Sequence, residues 1–132
     1  MAPLHTLKTT LTAWAASQRD VVAVVLVGSH ARGTAREDSD VDLVVLVEDR
    51  AARLRDTGWL TAALGAPTTA PQREDYGPVV SLRVWLPGGL EVELSVGGRD
   101  WAVLARTDAA TQAVLVGAVV WYDPAGLLSR GG

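Results

Sequence analysis

This sequence predicts a single α/β domain of the α+β kind: a mixed sheet of about five strands, helices packed on one side, and an acidic site on the open side. Three observations predict it. Two runs of β-branched and leucine residues, Val21–Val27 and Val41–Val47, are bounded by turn residues and have the length of buried strands. Two later runs, residues 79–86 and 90–96, flank Pro87-Gly88-Gly89, the composition of a hairpin turn. The stretches between and around them carry apolar residues at three- and four-residue spacing, the period of a helix.

The 132 residues, 48% hydrophobic and 20% charged, describe one globular domain spanning 1–132, without repeats or a linker. A net charge of −3 gives no general attraction to polyanions and argues against broad nucleic-acid binding. The chain contains no cysteine, which removes disulfides and thiolate metal sites. The longest apolar run, Val21–Val27, is too short to span a bilayer, and the first residues lack the basic-then-apolar order of a signal peptide. Cytoplasm is the location expected.

In chain order, Leu4, Leu7, Leu11 and Trp14 form an apolar stripe that predicts a helix over residues 3–18, with Pro3 tolerated in its first turn. Val21–Val27 and Val41–Val47, apolar on both faces, read as central strands. Residues 29–36 are expected to begin a short helix. A longer one is predicted over residues 49–64, with Asp49 near its start, Ala51, Leu54 and Leu64 facing inward and Gly58 a weak point. Gly65-Ala66-Pro67 ends it, and residues 66–78 read as a long surface loop. After the hairpin, residues 99–105 and 108–116 read as helical, Asp108 being a cap and Gly117 a C-terminal stop. Residues 118–122 suit a last strand, and residues 127–132 a short tail. Five tryptophans in a chain without phenylalanine are expected to supply the bulk of the core, one of them a candidate platform for a nucleobase.

The chemistry lies between the first two strands. Alternation puts Asp40 and Asp42 on one face, where two carboxylates repel unless a cation sits between them. Hard oxygen ligands suit Mg²⁺ or Mn²⁺, ions that combine one or two carboxylates with phosphate and water. Gly28 directly follows the first strand and permits a sharp turn and close approach to a ligand, while Ser29 offers a hydroxyl and an amide to a phosphate oxygen. A Gly-Ser turn or an Asp-x-Asp pair alone is more often a plain turn or a solvated strand end; in this order, between two buried strands, they carry more.

Gly28-Ser29-His30-Ala31-Arg32-Gly33 followed by Ser39-Asp40-Val41-Asp42-Leu43 resembles the signature of the polymerase-beta-type nucleotidyltransferases, specifically the minimal nucleotidyltransferase domains. The resemblance implies a three-carboxylate site with two Mg²⁺ ions (Mn²⁺ as the alternative) that moves a nucleoside monophosphate from a nucleoside triphosphate, ATP being the expected donor, to a hydroxyl acceptor. It assigns Asp40 and Asp42 as catalytic metal ligands and Gly28 and Ser29 to the triphosphate. Arg32, in the turn after Gly-Ser, is placed to reach a phosphate or brace the loop against an acid. Ser39 is placed to fix the approach to Asp40 through a side-chain to backbone bond; both are counted on the nucleotide side. The third acid is expected at Glu93, because Glu91-Val92-Glu93-Leu94 fits the family's x-Val-acid-Leu strand. Many members carry Asp there, so Glu93 departs by one methylene, and Glu91 is the fallback. Arg83 alternates out of phase with Leu82 and Val84, which turns it toward the same cleft. His5 and His30 are not at metal-ligand spacing, which argues against zinc.

Larger relatives attach a domain that reads the acceptor, so here the acceptor surface is expected from a homodimer, a partner protein or residues 66–78. Three functions follow from the resemblance. One is modification of a partner protein, as for antitoxins that accompany HEPN-type toxins; another is modification of an aminoglycoside-type small molecule; the last is a catalytically inert nucleotide-binding module.

Overall fold

The computed structural model describes residues 3–36 and 39–128. Its elements follow in the order α1 (Pro3–Ser17), β1 (Val21–Val27), α2 (Gly28–Arg32), β2 (Val41–Val47), α3 (Arg50–Arg55), α4 (Trp59–Leu64), β3 (Gln72–Asp75), β4 (Val79–Trp85), β5 (Glu91–Gly97), α5 (Asp100–Thr107), α6 (Ala109–Val114) and β6 (Val119–Tyr122). The strands form one mixed sheet in the order β3-β4-β5-β2-β1-β6. Only β2 and β5 run parallel among its pairs; β1–β2, β1–β6, β3–β4 and β4–β5 are antiparallel. No described helix is long and apolar enough to cross a membrane.

Period-two alternation divides the sheet into two faces. On the first, Leu26, Leu43, Val45, Leu82, Val84, Val92, Leu94 and Val96 pack against Leu7, Leu11 and Trp14 of α1 and Leu60, Ala63 and Leu64 of α4. Each such side chain withdrawn from water contributes about 1.5–3 kcal/mol. On the second face, Val25, Val27, Val44 and Leu46 meet Trp101 and Ala102 of α5. Because β1 and β2 are apolar on both faces, they occupy the middle of the sheet. The register slips between Val21 and Ala23, so Val22 and Ala23 both join the second cluster.

The sheet differs from expectation in having six strands, with helices on both faces rather than one. The extra strand is β3, inside the expected loop at 66–78; all four of its residues are exposed, and it pairs only with β4. It has no apolar alternation, so nothing in its own residues marked it as a strand. The expected helix over 49–64 is two helices, broken where Asp56 Oδ1 accepts a 3.0 Å bond from Gly58 N–H. Asp49 caps α3 by accepting from Ala52 N–H at 3.2 Å, whereas Ala51 is exposed rather than inward. The helix expected over 29–36 stops at Arg32, because Gly33 adopts φ 73° and closes it with a left-handed turn. Tryptophan does not supply the bulk of the core. Trp14 and Trp101 are buried, but the other three are only partly so, and the largest fully buried side chains are leucines and valines of the strands and helices. The tail expected over 127–132 lies outside the described residues beyond 128.

Candidate active site

The polar residues of interest stand on the second face, in the part that α5 leaves uncovered. Because Val41, Leu43 and Val45 point into the first cluster, Asp42 points the other way, level with Val44 and Leu46. In β5, Val92 and Leu94 face the first cluster and turn Glu93 to the second face. Parallel pairing then sets Asp42 directly opposite Glu93, while antiparallel pairing sets Glu93 directly opposite Arg83 of β4. One row therefore crosses three strands: Arg83, Glu93, Asp42. Glu91, the other glutamate of β5, pairs with Trp85 and lies one step beyond the Val41–Val92 pair, on the side of Asp40.

Asp40 immediately precedes β2 and joins the row. Burial of the Asp42 carboxyl, then the negative charges of Asp40 and Glu93 and a hydrogen bond with Asp40, push its pKa up to about 7 from 3.8; the Arg83 charge opposes this. An excess of negative charge at hard oxygen donors is the setting a divalent cation fits. Asp40 and Asp42 meet that description. Glu93 does not yet join them: its Oε2 accepts a 2.7 Å charge-assisted bond from Arg83 Nη2. Among the described residues no group of three His, Asp or Glu side chains is gathered closely enough to hold a metal. Asp42 and Glu93 thus share one face of the sheet with Asp40 beside them, and Glu93 is paired with Arg83.

Gly28 begins α2 with φ 75°, and a Cβ at this position would collide with Asp42 Oδ2 and lie 3.2 Å from Asp42 Cβ and Cγ. The glycine therefore makes room for the Asp42 carboxylate as well as for a sharp turn. Ser29 follows in the first turn, where no side chain caps the helix. Ser39 is engaged in the turn before β2: its Oγ accepts from Arg36 N–H at 2.8 Å and its own amide donates to Arg36 O at 3.1 Å. His30 Nε2 lies 3.3 Å from Ser39 O, tying α2 to the approach of Asp40. Arg32 is exposed, forms no ion pair among the described residues, and packs beside Gly117, where a Cβ would lie 2.8 Å from Arg32 Cγ.

Gly28, Arg32, Asp42 and Glu93 share one cavity of about 660 Å³, lined also by Tyr76, Trp101 and Thr111. Tyr76 lies in the 66–78 stretch already considered as acceptor surface and Trp101 is one of the five tryptophans considered as a base platform, whereas Thr111 was not singled out by the sequence. Tyr76 arrives on the β3–β4 turn, which is held by Arg50 Nη1 donating to Gly77 O at 2.8 Å. Thr111 arrives because Asp108 caps α6, accepting from Thr111 N–H at 2.9 Å and Oγ1 at 2.8 Å, bonds that hold the Asp108 carboxyl below its usual pKa. The Asp108 cap was legible in the sequence; its position at the cavity depends on how α5 and α6 fold back.

Residues 7–93 match the family described as "Nucleotidyltransferase domain". Among solved structures, an aminoglycoside 6-adenyltransferase from Bacillus subtilis superposes with TM-score 0.60 at 13% identity, over 82% of this chain and 39% of that one. Cid1 in complex with the UTP analog UMPNPP gives 0.55 at 14%, over 87% of this chain and 33% of the other. The polymerase core of TRAMP gives 0.54 at 18%, over 86% and 39%. This chain thus spans well under half the length of those structures, and at these identities the likeness is one of fold. A search of curated protein sequences finds no match.

Proposed function

Since this chain belongs to the nucleotidyltransferase domain family, we propose that it transfers a nucleoside monophosphate from a nucleoside triphosphate, ATP in the first instance, to a hydroxyl acceptor, with release of pyrophosphate. The observation that carries this reading is the register that sets Asp42 beside Glu93, next to Asp40 and against the Gly28 turn, at the mouth of a cavity. Asp40 and Asp42 would hold Mg²⁺ or Mn²⁺, with Glu93 completing the set. Bound there, the metal supplies charge neutralisation for the triphosphate and a more acidic acceptor hydroxyl. Gly28 leaves the backbone open to the phosphates, and Ser29 offers its hydroxyl and amide. Arg32, exposed at the cavity wall, adds positive charge where pyrophosphate departs. Ser39 acts at one remove, by fixing the turn that presents Asp40. Positioning and charge account for most of the acceleration in phosphoryl transfer.

For the acceptor we favour a hydroxyl on a partner protein, as in an antitoxin acting on a HEPN-type toxin, with a second copy of the chain as another source of acceptor surface. A second reading, a small aminoglycoside-type molecule, draws on the cavity, whose size suits a drug-sized ligand and whose wall includes Tyr76 and Trp101. Mass spectrometry of the protein and its co-purifying partners, after incubation with each nucleoside triphosphate and Mg²⁺, tests the proposal. A gain of one nucleotide mass identifies donor and acceptor together. No gain on any protein, with pyrophosphate released only when a small hydroxylated compound is added, selects the second reading. Binding of ATP and Mg²⁺ without turnover on any acceptor leaves an inert nucleotide-binding module and overturns both.

A further inference from the structure

We propose that Arg83 is a positioning residue that alternates between Glu93 and Glu91, and so controls when the third carboxylate is available to a divalent cation. This rests on the metal-dependent reading above. Sheet order places Asp42 and Arg83 on opposite flanks of Glu93. Neighbouring strands lie about 4.8 Å apart, so a glutamate in the middle strand leans toward one flank or the other. Glu93 leans toward Arg83, at 2.7 Å. The same guanidinium has a second acid within reach: its Nε is 3.2 Å from Glu91 Oε2. That contact is not aligned as a hydrogen bond, and Arg83 Nε is left buried with no hydrogen-bond partner.

Arg83 is therefore held firmly by one glutamate and loosely by the other. When Glu93 swings toward Asp42, Arg83 keeps a counter-charge in Glu91, and its Nε–H gains the bond it lacks. The exchange trades the Nη2 bond to Glu93 for one from the buried Nε, and the guanidinium keeps a carboxylate partner throughout. The extra methylene of Glu93 acquires a purpose: an aspartate at this position is too short to serve both flanks.

Binding of Mn²⁺ alone, followed by electron paramagnetic resonance of the free ion, tests this without recourse to catalysis. Arg83→Gln is expected to tighten Mn²⁺ binding about tenfold, and Glu91→Gln to weaken it severalfold, because Arg83 then has only Glu93 to hold. Simple charge removal predicts those same signs, so the double variant decides. Alternation makes R83Q/E91Q as tight as R83Q, since Glu91 acts only through Arg83; plain electrostatics returns it to the wild-type affinity, which would overturn the proposal. Weaker binding by R83Q would overturn it too, making Arg83 a brace for a metal ligand. A readout that needs no variant is the Arg83 Nε–H resonance during Mg²⁺ titration. It is expected to move to a hydrogen-bonded shift at saturation, and an unmoved signal counts against the alternation even if R83Q fails to fold. Should the wild type bind no Mn²⁺, or Asp42→Asn leave binding intact, the metal-dependent reading itself fails and the alternation with it.

Discussion

Arg53 and Arg83 both pair with acids, and their surroundings differ sharply. Arg53, in α3, is 14% exposed at its side chain and makes three side-chain hydrogen bonds. Its Nε donates to Asp20 Oδ2 at 2.8 Å and its Nη2 to Gln18 Oε1 at 3.0 Å, with a further bond to Asp20 Oδ1. Trp14 and Trp59 stack at 5.2 Å between centroids, and the guanidinium carbon lies 5.2 and 5.6 Å from their rings. Arg83, in β4, is 40% exposed, holds one glutamate well, and faces Asp40, Asp42, Glu91 and Glu93 with a single positive charge. In the first region charge is balanced and no buried donor is left without a partner among the described residues, which is what a cluster built for stability requires. In the second, negative charge is in surplus and one donor is unspent. That imbalance persists in a folded domain only if the remaining core compensates for it, and it leaves a place for a ligand.

The contrast can be broken most forcefully at Asp42. Replacing it with Asn is expected to cut Mg²⁺-dependent pyrophosphate release on the order of a thousandfold, about 4 kcal/mol of barrier, while the thermal melt at neutral pH stays level or rises. A melt that collapses instead would place Asp42 with the structural acids. Arg53→Ala reverses the pattern: a loss of about 2–3 kcal/mol in urea denaturation with turnover per folded molecule retained. By comparison, Arg83→Gln is expected to change stability by no more than about 1 kcal/mol, as for an exposed ion pair. At the Gly-Ser turn, Gly28→Ala forces a Cβ onto the Asp42 carboxylate in a left-handed backbone and is expected to cost about 2–3 kcal/mol as well as activity. Gly33→Ala, with φ 73° but nothing within 4 Å of a new Cβ, is expected to cost about 1 kcal/mol and spare activity.

The smallest effects are on pH dependence, and the two regions predict opposite signs. The bond from Arg53 holds the Asp20 carboxyl below its ordinary pKa, so its stabilisation is present above that ordinary value and is lost as pH falls through the lowered one. Asp42, raised to about 7, binds its proton more tightly folded than unfolded, so stability declines as pH rises from about 4 to about 7 and is flat above. Melts of the metal-free protein from pH 3 to 8 are expected to show a smaller acid-side fall in Asp20→Asn and to lose the decline toward neutrality in Asp42→Asn. Two variants with the same profile would show that the two acids do not differ in this way.

Much of this arrangement was readable before any coordinates. Val21–Val27 and Val41–Val47 are apolar on both faces, which leaves them no position but the middle of a sheet, and alternation alone set Asp42 opposite to Leu43 and Glu93 opposite to Leu94. The α1 stripe was equally plain, since Leu7, Leu11 and Trp14 have nowhere else to be buried. What local sequence could not disclose depends on distant partners. Gln72–Asp75 becomes a strand because β4 offers it an edge and Arg73 Nη2 donates to Leu54 O at 2.6 Å, not through any preference of its own residues. Trp101 reaches the second face because α5 folds back there, and the hold of Arg83 on Glu93 follows from a register that no stretch of β4 or β5 records by itself.

The lone parallel pairing, β2 with β5, bears on how the protein is made. Asp42 and Glu93 meet only after the chain has run through two helices and a hairpin, so the acids adjoin only once residues up to Gly97 have left the ribosome and found their places. A stalled or truncated nascent chain carries the Gly-Ser bend and both aspartates but lacks their neighbour. The strand order thereby makes the meeting of Asp42 and Glu93 one of the later contacts the growing chain can form.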